Sequence, residues 1–171
     1  MTTVYLSLGA NAGDRQGNIA RAIEALGLRG VKVVRRSSLY ETEPVNARGG
    51  WFLNCAVQAE TDTAPEELMM TLLDIERSLG RERSPAARER SSELREERVI
   101  DLDILLFGTH GLRTPELEVP HPRMAERRFV LVPLAEIAPE LRHPVLDKTI
   151  AELLTATRDR TAVRPAASPH G

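Results

Sequence analysis

Apolar and polar residues alternate in Val4-Tyr5-Leu6-Ser7-Leu8, the pattern of a strand with one face in a core. The turn Gly9-Ala10-Asn11-Ala12-Gly13-Asp14 follows, and then Ile19, Ala22, Ile23 and Leu26 recur at helical spacing before Gly30. Val31 to Tyr40 mixes β-branched and polar residues and predicts a second strand. The stretch from Thr42 to Trp51, with Pro44, Gly49 and Gly50, predicts a loop, and Phe52 to Glu60 a third strand. Thr63-Ala64-Pro65-Glu66 supplies an N-cap, a first-turn proline and a capping-box glutamate ahead of Leu68, Leu72, Ile75 and Leu79. A fourth strand falls at Val99 to Phe107. The order βαββαβ predicts an α+β fold, a ferredoxin-like sandwich with C-terminal additions. Those additions are a turn at Val119-Pro120-His121-Pro122, a helix in Val130 to Ile137 and a capped helix from Thr149 through Leu154. Residues 1–157 are expected to form a single domain. Residues 158–171, rich in Arg, Pro, Ala and Ser, are expected to be a disordered tail.

The fourth strand carries two carboxylates, Asp101 and Asp103, between Ile100, Leu102 and Ile104. Side chains alternate in a strand, so the two acids share a face with Cα atoms roughly 7 Å apart. Like charges on a half-buried surface repel, and burying an unpaired carboxylate costs several kcal/mol unless a cation lies between the pair. Hard oxygen ligands without a soft ligand nearby favour Mg²⁺ carrying phosphates. A pair of edge-strand charges at a solvated rim would show the same spacing, so the neighbouring sequence has to decide.

The chain has 171 residues with 23 Lys and Arg against 25 Asp and Glu. This balance gives no general attraction to nucleic acid or to a membrane surface, and a phosphate ligand has to be met by locally placed Arg or His. The single cysteine, Cys55, excludes an internal disulfide and a multi-cysteine zinc site; in Phe52-Leu53-Asn54-Cys55-Ala56-Val57 it is expected to be a buried thiol. The N-terminus starts directly with a strand pattern, without a basic segment or a long apolar run, and a cytoplasmic location is expected. From Arg81 to Arg98 there are six Arg and five Glu and no aromatic residue, which predicts a solvated segment. No G-x-x-x-x-G-K-[ST] phosphate loop is present.

Six blocks occur in order: Ser7-Leu8-Gly9-Ala10-Asn11; Tyr40-Glu41-Thr42-Glu43-Pro44-Val45; Phe52-Leu53-Asn54; Ile75-Glu76 with Gly80-Arg81; Arg98 ahead of Asp101-Leu102-Asp103; and Val119-Pro120-His121-Pro122-Arg123-Met124 through Arg127 and Phe129-Val130-Leu131. From about Val4 to Pro139 the chain resembles the 6-hydroxymethyl-7,8-dihydropterin pyrophosphokinases. That resemblance implies transfer of diphosphate from ATP to a reduced pterin, with release of AMP, in folate synthesis. It makes Arg81, Arg98, Asp101 and Asp103 the catalytic set, with two Mg²⁺ ions expected on the two aspartates. It assigns the pterin to Gly9, Thr42, Val45, Phe52, Asn54 and Phe129, with Phe52 and Phe129 stacking on the flat ring. ATP falls to Glu76, Arg83, Ile104, His121 and Arg127. Partners are then ATP and the pterin, and the protein is expected to be a monomer. His110, His143 and His170 have no place in the pattern and are expected at the surface.

The family pattern has Trp-Gly-Pro immediately before the arginine matching Arg98, whereas this chain has Arg95-Glu96-Glu97, in a loop several residues longer. The only tryptophan, Trp51, stands beside Phe52 instead. The change bears on Arg83, Arg88 and Arg90, in a loop that would close over both substrates. A non-catalytic pterin-binding module of the same fold is the alternative to an enzyme, although such a module has no need of metal ligands and phosphate cations. An RNA-binding domain would need a basic face and exposed sheet aromatics, and aromatics make up 4% of the chain.

Overall fold

The computed structural model describes residues 1–44, 50–80 and 99–166. A six-stranded sheet forms around β1 (Thr2–Ala10), which pairs antiparallel with β4 (Phe52–Thr61) on one side and β5 (Asp101–Phe107) on the other. Helices α1 (Arg15–Leu28) and α2 (Pro65–Gly80) lie between the strands in sequence. This is the predicted ferredoxin-like α+β arrangement.

Strand alternation divides the sheet into two unlike faces. Leu6 and Leu8 of β1, Leu53, Cys55 and Val57 of β4, and Leu102 and Ile104 of β5 join one core cluster with Ile19, Ala22 and Leu26 of α1 and Leu68, Leu72, Ile75 and Leu79 of α2. The opposite face is covered over part of its length. There Ala56, Leu105 and Leu106 meet Val130, Leu131 and Leu134 of α3 (Arg128–Ile137) and Ile150 and Leu153 of α4 (Ile150–Ala156). Helix α4 opens with the predicted cap: the Thr149 hydroxyl accepts from the Glu152 N–H, and the Glu152 carboxylate accepts from the Thr149 N–H. Gly30, at φ +83°, closes the α1 end in a conformation that disfavours any side chain.

Three expectations are corrected. The strand predicted from Val31 to Tyr40 is two, β2 (Lys32–Arg36) and β3 (Tyr40–Thr42), both on the edge of β4. The chain breaks at Ser37, whose hydroxyl accepts from the Ala56 N–H while its own N–H donates to the Ala56 carbonyl. Helix α2 begins at Pro65, so Ala64 precedes it, and the Thr63 hydroxyl lies 2.9 Å from that of Thr61. The tail expected from Arg158 is ordered through residue 166: β8 (Val163–Pro165) pairs with β3 and extends the main sheet beyond the predicted boundary at 157. The tail has little apolar surface to bury, but pairing at a sheet edge uses backbone groups that every residue except proline carries in full. Its residues 167–171 lie outside the described set. A short hairpin of β6 (Leu112–Arg113) and β7 (Glu118–Val119) follows β5. Among the described residues no helix is long and apolar enough to cross a membrane.

Candidate active site

Where α3 and α4 stop covering the second face, the inward positions turn from apolar to polar. Ser7 stands opposite Asp103, and Gly9 opposite both Asn54 and Asp101; Thr42 stands opposite Phe52. Residues paired across strands share a face, so these seven converge, and with Phe129, Arg127 and Glu43 they line a cleft of about 170 Å³. The Asn54 side chain is 4% exposed and its amide N–H donates to the Thr42 hydroxyl at 2.6 Å. Gly9 has no Cβ because the Asn54 amide oxygen occupies that space, with the Phe52 ring edge 3.6 Å from the same point. The Arg127 guanidinium sits 5.5 Å from the centre of the Phe129 ring, a cation–π contact. The cleft thus offers aromatic surface and a fixed amide to a flat polar heterocycle at one end, and two carboxylates at the other.

A second, wider cavity of about 520 Å³ begins at the same carboxylates. Asp101 and Asp103 border both spaces, and Glu76, Ile104 and His121 line only the second. Among the described residues strand β5 is a sheet edge, and the Leu102 N–H has no strand partner on that side. The Glu76 carboxylate of α2 takes it at 2.7 Å. Burial raises the Glu76 pKa to about 7; the Leu102 bond opposes that, and the charges of Asp101 and Asp103 add to it. Three acids thus crowd the mouth shared by the two cavities. His121 accepts a bond from the Arg123 N–H on Nδ1 at 3.1 Å, which leaves Nε2 as the donor of the neutral ring. Burial first, and then Arg127, push the His121 pKa down. The Nδ1 bond leaves Nε2–H as the hydrogen-bond donor that the neutral ring can offer.

Among the described residues no three His, Cys, Asp or Glu side chains are arranged to hold a metal ion. What the site does offer is a pair of hard oxygen donors on one strand face with a third carboxyl crowded behind them. That donor set fits Mg²⁺, which takes one or two protein carboxylates and fills its remaining positions with water and phosphate oxygens.

The structure brings Gly9, Thr42, Phe52, Asn54 and Phe129 around one cleft and Glu76, Ile104 and His121 around the adjoining cavity, with Asp101 and Asp103 lining both. Arg127, expected with the ATP contacts, lines the smaller cleft over Phe129. Val45, Arg81, Arg83 and Arg98, with Arg88 and Arg90, lie outside the described residues. Ser7 and Glu43 line the cleft without having been singled out in the sequence. For Ser7 the signal was available, since alternation places it on the face of Gly9. His143, expected at the surface, is 6% exposed; its Nδ1 accepts from the Val145 and Leu146 N–H groups and holds a turn. Cys55 is buried as expected, and burial pushes its thiol up to about 12, which removes it as a nucleophile.

Comparison with known proteins agrees with this fold. The crystal structure of Plasmodium falciparum HPPK-DHPS wild type with SDX-DHP superposes with a TM-score of 0.65 at 18% identity, over 91% of this chain and 43% of that one. This chain is 39% identical over 153 residues to the folic acid synthesis protein fol1 of Pneumocystis carinii, covering 86% of this chain and 19% of fol1. The chain therefore spans less than half the length of either of these two proteins. It is 43% identical over 143 residues to the 2-amino-4-hydroxy-6-hydroxymethyldihydropteridine pyrophosphokinase of Methylorubrum extorquens, covering 82% of this chain and 85% of that protein. The model of the 7,8-dihydro-6-hydroxymethylpterin-pyrophosphokinase (HPPK) family matches residues 5–139, and the chain belongs to that family.

Proposed function

We propose that the protein transfers the terminal diphosphate of ATP to the hydroxymethyl oxygen of 6-hydroxymethyl-7,8-dihydropterin, releasing AMP, as a step of folate synthesis. The observation that carries the reading is the meeting of two chemically different cavities at Asp101 and Asp103. The smaller cleft suits the pterin: Phe52 and Phe129 offer ring surface, and the Asn54 amide, fixed by Thr42, can both donate and accept along the polar edge. The wider cavity suits the triphosphate, with His121 donating to a phosphate oxygen and Ile104 lying against the nucleotide. Arg127, over Phe129, reaches the phosphates from the pterin side of the junction. Within residues 81–98, Arg81, Arg83 and Arg98 add cations, and within residues 45–49, Val45 adds backbone contacts to the pterin.

In the transfer, the hydroxymethyl oxygen forms a bond to the β-phosphorus and the bond from that phosphorus to the α,β-bridging oxygen breaks. AMP leaves with that oxygen, and the hydroxyl proton passes to solvent. Asp101 and Asp103 would hold two Mg²⁺ ions. When bound there, Mg²⁺ neutralises phosphate charge and makes the alcohol a stronger acid. The chain's own part is positioning: two sites sharing one border bring oxygen and phosphorus together, which by itself removes a large share of a bimolecular barrier. No side chain needs to act as general base. The reading includes a monomer at work in the cytoplasm, which suits the dependence on ATP and a free thiol at Cys55.

The test is incubation of the protein with ATP, Mg²⁺ and the pterin, with identification of the nucleotide product. AMP that appears only when the pterin is present supports the reading. ADP as product, or pterin binding without turnover, overturns it, and the second outcome leaves a binding module.

A further inference from the structure

The segment from Asp159 to Pro165 contacts the chain at three parts of the smaller cleft's lining: beside Phe129, at Thr42 and Glu43, and beside Phe52. At the start of α3, next to Phe129, Asp159 accepts from the Arg128 N–H at 2.8 Å, and the Arg128 guanidinium donates to the Thr161 carbonyl at 2.7 Å. At the cleft floor, Val163 pairs with Thr42, and Glu43 and Ala162 exchange two bonds: the Glu43 N–H donates to the Ala162 carbonyl, and the Glu43 carboxylate accepts from the Ala162 N–H. At the third wall, the Arg164 guanidinium lies 4.4 Å from the centre of the Trp51 ring, the residue before Phe52. Arg164 also bonds Glu41 at 3.2 Å. Arg15 joins the same group, donating to Glu41 at 2.8 Å and to the Trp51 carbonyl at 2.9 Å. The Glu41 pKa is lowered by its bonds to Arg15 and then Arg164, so the bridging carboxylate is ionised at neutral pH.

We propose that Asp159–Pro165 is a strap that positions the two aromatic walls of the pterin cleft, with Arg164 holding Trp51, and through it Phe52, and Asp159 holding the start of α3, and through it Phe129. The proposal rests on the assignment of the smaller cleft to the pterin. None of the strap residues lines the cleft, so their effect is on where Phe52 and Phe129 stand rather than on contact with ligand. Trp51 thereby has a role that the sequence left open: it is the ring by which the strap grips the chain immediately before β4. The strap also couples chain segments more than a hundred residues apart, since Arg164 and Glu41 are separated by 123 positions.

Trp51 is the only tryptophan, so its fluorescence reports on the grip without any turnover. The experiment compares Arg164→Ala, Arg164→Lys, Asp159→Ala and the parent by tryptophan emission, acrylamide quenching, pterin Kd by calorimetry, and steady-state KM for each substrate. Arg164→Ala is expected to increase acrylamide quenching and to weaken pterin binding roughly three- to thirtyfold, the range of one cation–π contact. The KM for ATP should stay within twofold. Arg164→Lys keeps a cation over the ring and should recover most of both effects. Asp159→Ala should weaken pterin binding while leaving Trp51 emission unchanged. An Arg164→Ala protein with parental quenching or parental pterin Kd overturns the proposal, and so does equal weakening for ATP and pterin, the mark of a general loss of structure. Should the parent bind no pterin at all, the cleft assignment fails and the positioning role fails with it, while the quenching data still decide whether Arg164 covers Trp51.

Discussion

Replacing Gly9 with alanine should damage the pterin cleft by moving one amide. A Cβ built on Gly9 overlaps the Asn54 side-chain oxygen and comes 3.6 Å from the Phe52 ring. Asn54 has nowhere to retreat: it is 4% exposed and its N–H is committed to Thr42 at 2.6 Å. Either β1 and β4 separate locally, an overpacking cost of about 1–3 kcal/mol, or Asn54 turns away from Thr42 and leaves a buried polar group short of a partner, again about 1–3 kcal/mol. Both routes move the amide that would read the pterin edge, and losing that bond weakens pterin binding roughly ten- to a hundredfold. ATP, in the adjoining cavity, should bind as before. The assay is pterin and ATP affinity by calorimetry beside urea unfolding, for Gly9→Ala, Asn54→Ala and the double variant. In the Asn54→Ala background the added methyl meets no oxygen, so the stability cost of Gly9→Ala should shrink by at least half. Unchanged stability and pterin affinity in Gly9→Ala, or an equal cost in both backgrounds, would refute the reasoning.

Asp101→Asn should lower turnover by about a thousandfold or more, the scale of losing metal-assisted charge stabilisation, yet leave the unfolding midpoint equal or higher because one of three crowded acids is gone; turnover and thermal unfolding measured together check this. Glu76→Ala strips the Leu102 N–H of its acceptor and should cost about 1–3 kcal/mol in urea unfolding, whereas Glu76→Gln, which keeps an acceptor oxygen, should cost less than half as much. Glu41 has a folded pKa below its ordinary value of 4.5. Its stabilising contribution is therefore fully present above about pH 4.5 and is lost as the pH falls through the lowered folded value. The stability difference between the parent and Glu41→Gln, measured by urea unfolding from neutral to acid pH, should hold steady at first and then close.

Much of this protein was decided locally. The alternation around Asp101 and Asp103 places Ile100, Leu102 and Ile104 in the core and the two acids on the other face, as found. The helical periodicity of α1 and α2 and the Thr149–Glu152 cap act over a few residues, so sequence alone fixes them, and the order of elements then leaves few ways to pair the strands. What only the tertiary structure decided involves groups that carry no local signal. Edge pairing of β8 with β3 uses backbone bonds that apolar patterning does not record, which is why Val163–Pro165 read as tail. The burial of His143 follows from a turn whose N–H groups needed an acceptor. The resemblance already assigns Glu76 to ATP, but its bond to the Leu102 N–H of β5 is tertiary, and Arg127 lies over Phe129 because the chain enters α3 between them. The sharing of Asp101 and Asp103 between two cavities is a property of the sheet's uncovered end. Periodicity assigns a residue to a face, but which part of that face stays open depends on where α3 and α4 stop, and contacts between distant parts of the chain settle that.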